Sequence, residues 1–312
     1  MEKEKLTASN LRGNWATLLL PICADQSIDF NLLETEIDRL ISAKVDGIYS
    51  NGTAGEFHNQ TEAEFDRIAE LLAIKCTKAG TRFQVGCSHP SPIISLQRMK
   101  RTVSLKPDAF QVIMPDWVVL SGEEQLQFLT KMESEANGIP LVLYNPPHAK
   151  LELKPIDYAK FKSAVPTLIG TKVLSRGSEW EDEMKTHAGH LSIFIPGHFL
   201  ASGVKTGIAA GAYSNIACIN AAAAQWHWQL MSTDIEEALR IQEQLLEFFR
   251  QCIFPYANAG YSSPALDKFL AAVGGYIEIP TRLRWPYRGI PEADVPSARE
   301  IARALLPEFF KG

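Results

Sequence analysis

The sequence predicts an α/β fold, a (β/α)8 TIM barrel with a C-terminal helical extension. Three observations lead there. Short apolar runs of strand length recur roughly every 25–35 residues, the period of a strand–helix unit. Eight such runs fit within the first 230 residues, as many as a closed barrel needs. After Ala221–Ala224 the apolar pattern is helical only. A doubly wound sheet is the competing architecture. It rarely holds eight parallel strands, and no phosphate-binding glycine fingerprint follows the first run.

The expected strands are Trp15–Leu20, Gly47–Asn51, Phe83–Cys87, Ala109–Met114, Pro140–Tyr144, Thr167–Lys172, Leu191–Ile195 and Gly207–Ser214. Amphipathic stretches between them read as helices, among them Asn31–Ala43, Thr61–Lys78, Gly122–Ala136 and Ser178–His187. Three further helices, Asp234–Gln251, Ser262–Val273 and Ser297–Leu306, make the extension. Pro264, Pro280, Pro286, Pro291 and Pro296 punctuate its connections. No linker separates the two parts. The expected division is residues 1–230 for the barrel and 231–312 for helices packed on it.

Composition narrows the function. The 312 residues are 46% hydrophobic and 21% charged, with a formal net charge of −5 and no basic block. That argues against a nucleic-acid surface or an anionic-membrane patch. No run of about 18 apolar residues suggests a membrane span. The start, Met1-Glu2-Lys3-Glu4-Lys5, is charged, and no apolar stretch of a secretory signal follows it. Five cysteines, Cys23, Cys76, Cys87, Cys218 and Cys252, are scattered without a CxxC pair. They read as reduced, mostly core residues of a cytoplasmic protein.

Chemistry in a barrel sits at the C-terminal ends of the strands. Lys172 ends the apolar run Thr167–Lys172. A free lysine has a pKa of about 10.4, so roughly one amine in a few thousand is neutral at pH 7. Burial disfavours the charged form and turns the amine into a nucleophile able to form a Schiff base with a ketone. The plainer reading is a lysine that snorkels to water. Tyr144, in Tyr144-Asn145-Pro146-Pro147, shares a face with Val142 and should point inward, where a phenol can relay a proton. The turn Asn51-Gly52-Thr53-Ala54-Gly55-Glu56 offers backbone N–H groups and the Thr53 hydroxyl to a carboxylate. It could equally be an ordinary strand–helix turn. His198 and Tyr213, near the mouth on the last two strand ends, are candidate substrate contacts, with a structural role as the competing reading. Trp226-His227-Trp228 reads as packing. His187 and His190 have helical spacing but no third ligand, so no metal and no cofactor are expected.

Together, Gly-Thr-Ala-Gly-Glu, Tyr-Asn-x-Pro and a strand-borne lysine 28 residues on resemble the dihydrodipicolinate synthase / N-acetylneuraminate lyase family. The early Leu18–Pro21 and the late Arg284-Trp285-Pro286 extend the resemblance from about Gly13 to Tyr287. It implies a barrel with extra C-terminal helices, usually a homotetramer, and a Schiff base between the lysine and pyruvate or another 2-keto acid. Lys172 is then the nucleophile and Tyr144 the proton relay. Gly52, Thr53 and Ala54 bind the keto-acid carboxylate, and Thr53 bonds Tyr144.

The departures concern the second substrate. Ala54 replaces a hydroxyl residue common in the family loop. The synthases carry an arginine five residues after the tyrosine; here Ala149 stands there, with Lys150 beside it as a candidate substrate contact. Trp117 stands where the synthases lend a tyrosine across an interface. Gly197-His198-Phe199 replaces the acidic residues of the sialic-acid lyases. The resulting expectation is a carbon–carbon lyase of the class I aldolase type that reacts poorly with aspartate semialdehyde and better with a longer hydroxylated keto acid. Two alternatives are a 2-keto-3-deoxy sugar acid dehydratase using the same lysine and a non-catalytic keto-acid or sugar-acid binding protein.

Overall fold

Eight short strands hydrogen-bond in sequence order into one closed, all-parallel barrel. The structure is a computed structural model that describes residues 3–311; Met1 and Glu2 of the charged N-terminal segment lie outside the described residues. The chain alternates β1 (Gly13–Thr17), α1 (Phe30–Ser42), β2 (Gly47–Ser50), α2 (Glu62–Ala79), β3 (Phe83–Gly86), α3 (Pro92–Thr102), β4 (Ala109–Ile113) and α4 (Gly122–Glu135). It continues with β5 (Leu141–Tyr144), α5 (Pro155–Ala164), β6 (Leu168–Lys172), α6 (Ser178–Ala188), β7 (Ser192–Ile195), α7 (Leu200–Lys205) and β8 (Gly211–Ser214). Six α-helices follow among the described residues: α8 (Ile216–Ile219), α9 (Ala221–Thr233), α10 (Ile235–Cys252), α11 (Phe254–Asn258), α12 (Ser263–Gly274) and α13 (Val295–Leu305).

Local chemistry sets the helix starts. Thr61 and Ser121 each close a capping box, with Glu64 and Glu124, at α2 and α4. Asp29 accepts from the N–H groups of Asn31 and Leu32 at α1. Two strand ends differ from expectation by three residues or more. β1 stops at Thr17 because Leu18, Leu19 and Leu20 turn away into the core outside the barrel. β8 starts at Gly211, since Gly207 (φ 74°) closes the turn after α7 instead.

Two cores result. The larger lies between the strands and the surrounding helices and runs without a break into α10, α12 and α13. The smaller fills the barrel with Trp15, Tyr49, Val142, Ile169, Phe194 and Tyr213, joined by Leu6 and Leu11. The expected boundary at residue 230 falls inside α9.

One irregularity matters for function. Leu141 and Val142 of β5 pair with Leu168 and Gly170 of β6, so Ile169 is an extra residue. Leu168 faces the outer core, whereas Ile169 joins the inner one and a Cβ on Gly170 would strike Leu11. Strict alternation from Leu168 would have sent Lys172 outward. The bulge turns it inward.

Candidate active site

The bulge brings Lys172 into direct register with Tyr144 on the adjacent strand. Its amine lies 4.3 Å from the centre of the Tyr144 ring, 5.3 Å from that of Tyr49 and 5.5 Å from that of Tyr213. Its best polar contact is weak: Nζ donates to Tyr49 Oη at 3.5 Å. Ring faces stabilise a cation less than water does in this setting, so burial dominates. It pulls the amine down from its ordinary 10.5 to about 8, with the Asp267 carboxylate pulling the other way. The same burial pushes the Asp267 carboxyl well up, opposed by Lys172.

These groups share a cavity of about 240 Å³ with Thr17, His198 and Asn215. Burial raises the Tyr144 phenol well above its usual range, and the nearby Thr53 hydroxyl lowers it only partly. Tyr144 therefore stays protonated and can donate. Thr53 Oγ1 is buried and has no hydrogen-bond partner within ordinary geometry, a hydroxyl still open to a ligand. Tyr213 donates to Gln84 Oε1 at 2.7 Å and forms part of the barrel floor. His198 stacks on Phe249 at 4.4 Å, and its Nδ1 meets Asn215 Nδ2 at 2.8 Å. Burial lowers it to about 4, which leaves a neutral ring.

The structure thus gathers Lys172, Tyr144, Tyr213 and His198 around one cavity. Thr53 borders a neighbouring cavity of about 500 Å³ together with His58, Asp116 and His148. Gly52 and Ala54 form the loop beside Tyr49. A Cβ on Gly52 would come 2.9 Å from the Tyr49 ring, so this close approach requires glycine. Lys150 is not brought to the cavity. It donates to the Trp117 carbonyl at 3.2 Å and lies over that indole at 4.7 Å, outside the barrel mouth. The surface there is exposed, and Trp117 itself is 79% accessible. Among the described residues no group of three or more His, Cys, Asp or Glu is placed to hold a metal ion, and no helix is long and apolar enough to cross a membrane.

Sequence reasoning missed Tyr49 and Asp267. Tyr49 sits on β2 three residues before Gly52, and its position inside the barrel follows from the alternation of that strand. Asp267 had a fainter signal. Ser263, Leu266, Asp267 and Leu270 occupy one face of α12, and an acid on an otherwise buried helical face needs a reason.

The profile of the dihydrodipicolinate synthetase family matches residues 10–264. The N-acetylneuraminate lyase of Escherichia coli (strain SMS-3-5 / SECEC) is 24% identical over 316 residues, covering 96% of this chain and 99% of that protein. Among solved structures, CdNal from Clostridium difficile in complex with mannosamine superposes with a TM-score of 0.82 at 18% identity, over 95% of this chain and 100% of that one. YagE, a prophage protein of the dihydrodipicolinic acid synthase family from E. coli K12 in complex with pyruvate, gives 0.82 at 18% identity over 95% and 99%. A catalytic lysine mutant of Ruminococcus gnavus sialic acid aldolase gives 0.82 at 19% over 96% and 97%. At these identities the structural likenesses establish the barrel and its helical extension.

Proposed function

The chain belongs to the dihydrodipicolinate synthetase family, and from that membership we propose that it is a Schiff-base carbon–carbon lyase acting on pyruvate or a related 2-keto acid. The observation that carries this reading is the depressed Lys172 amine, in register with a protonated Tyr144 at the C-terminal end of the barrel. Burial raises the neutral fraction of the amine at pH 7 from roughly one in a few thousand to about one in ten. That amine attacks the keto carbon, and Tyr144 passes a proton to the departing hydroxyl as the carbinolamine loses water. The iminium then draws electrons from the adjacent carbon–carbon or carbon–hydrogen bond to give an enamine. Thr53 and the N–H groups of its loop hold the carboxylate. Tyr49 and Tyr213 shield the amine from bulk water.

The dehydratase and the binding-protein alternatives have no observation that favours them over cleavage. In our reading residues 1–230 carry the reaction and residues 231–312 roof it. The protein works in the cytoplasm as a homo-oligomer. The exposed run Trp117, Val118 and Val119, at 79%, 75% and 47%, supports a second copy covering that edge.

Pyruvate in D2O tests the reading without any second substrate. Enamine formation should exchange the methyl protons for deuterium, visible by NMR, and Lys172→Ala should abolish the exchange. No exchange above the uncatalysed rate in the wild type would refute the lyase reading.

A further inference from the structure

The walls of the cavity beyond the amine identify the class of the second reactant; this inference rests on the lyase reading above. Leu174, Phe249, Ile253, Phe254, Leu266 and Leu270 line that part of the cavity. They come from the segment after β6 and from α10, α11 and α12, which close over the mouth as one apolar roof. A polyol chain placed there would lose its hydration and find few partners. His198 and Asn215 bond each other through Nδ1 and Nδ2, which leaves Asn215 Oδ1 as one open buried acceptor, enough for a single hydroxyl but not for a polyol chain, and Ser263 stands at the outer end of the Asp267 face of α12. Charge selects in the same direction. Lys172 is the only cationic side chain on the wall among the described residues, and its charge is gone in the neutral enamine that meets the aldehyde. His198 stays neutral above about pH 4. The one carboxyl on the wall among the described residues is Asp267, which offers a second carboxylate no positive charge to bind. Lys150, the cation that could have read such a group, is bound to Trp117 outside.

We propose that the partner of the keto acid is an uncharged aldehyde with an apolar body, aryl or branched alkyl, seated under the α10–α12 roof. In the synthetic direction, C3 of the enamine bonds to the aldehyde carbon. The carbonyl π pair moves to the aldehyde oxygen, which takes up a proton. Water then hydrolyses the iminium, freeing Lys172 and a 4-hydroxy-2-keto acid. Cleavage runs the same steps backwards. The cavity, at about 240 Å³, lies just under the roughly 300–1,000 Å³ usual for small-molecule sites, so the aldehyde is short. The longer hydroxylated chain expected from the sequence fits these walls poorly.

The test pairs pyruvate with benzaldehyde, isobutyraldehyde, glyceraldehyde and succinic semialdehyde, and measures kcat/KM for product formation. An apolar aldehyde should exceed both polar ones by about tenfold or more. Phe254→Ser should narrow that preference by a similar factor without loss of fold, since Phe254 is already 36% exposed. Glyceraldehyde or the semialdehyde matching the apolar aldehydes, or an unchanged preference in the folded variant, would overturn the proposal. If no aldehyde turns over, binding to the borohydride-capped pyruvate enzyme decides. Benzyl alcohol should bind about tenfold tighter than glycerol, and equal or reversed binding counts against it. Pyruvate methyl exchange keeps the two readings apart. Exchange with the wrong aldehyde preference sinks only this inference, whereas absent exchange sinks its premise.

Discussion

Lys172 and Asp267 line the same cavity, and their protonation states are linked. In the proposed Schiff-base reaction the amine must be neutral to attack, so its fall to about 8 should set the acid limb. Below that pH the rate of adduct formation should drop about tenfold per unit, and above it the rate should level off. Asp267 stabilises the ammonium form, because opposite charges in a low-dielectric space attract. Asp267→Asn removes that help, so the amine pKa should fall further and the acid limb should move to lower pH. A pH profile of adduct formation with pyruvate for both proteins checks this. A limb near the ordinary lysine value of 10.5, or a shift to higher pH in the variant, would contradict the assignment. Lys172, Tyr144 and Thr53 were read from short motifs in the sequence, and the first two line one cavity in the structure. Asp267 was not, because nothing in a helical pattern says which buried face meets an active-site cavity 95 residues from the lysine.

Two elements do the positioning. The bulge at Ile169 in β6 decides which way Lys172 points, and a one-residue slip in a strand exchanges its faces. Residue alternation alone could not reveal it, since Leu168, Ile169 and Gly170 all suit a buried strand. The second element is α12. Its Lys268 is fully buried, donating to Glu56 Oε1 at 2.5 Å and to the Arg282 carbonyl at 2.7 Å. This ion pair fastens the helix that carries Asp267 to the loop that carries Thr53. Lys268→Met leaves the buried Glu56 carboxylate without its cation and should cost roughly 3–5 kcal/mol of stability. Glu56→Gln combined with Lys268→Met should cost less, because no unpaired charge remains. Chemical denaturation of the three proteins measures this, and a single variant as stable as the wild type would remove the clamp from the account. Glu56 was read as the end of a family motif, and its partner lies 212 residues away, beyond the reach of local patterning.

At the scale of the whole molecule, the barrel was legible because each βα unit announces itself locally. Strand-length apolar runs, helix caps and glycine or proline punctuation agree with one another across eight repeats. The placement of the extension was less legible. Its helices were visible, but their docking over the mouth depends on contacts of α10 with α7 and of α12 with α8, which bury one continuous core. That docking makes the cavity apolar and gives it a carboxyl. In the proposed lyase the barrel supplies the amine, the phenol and the carboxylate loop, and the extension supplies the chamber for the second reactant. Its central claim is that Lys172 is the nucleophile. The most direct measurement is borohydride reduction in the presence of pyruvate, followed by mass mapping of peptides from the wild type and from Lys172→Arg. The account predicts a reduced three-carbon adduct on the peptide containing Lys172 and none in the variant; an adduct on another lysine, or one that persists in Lys172→Arg, would contradict it.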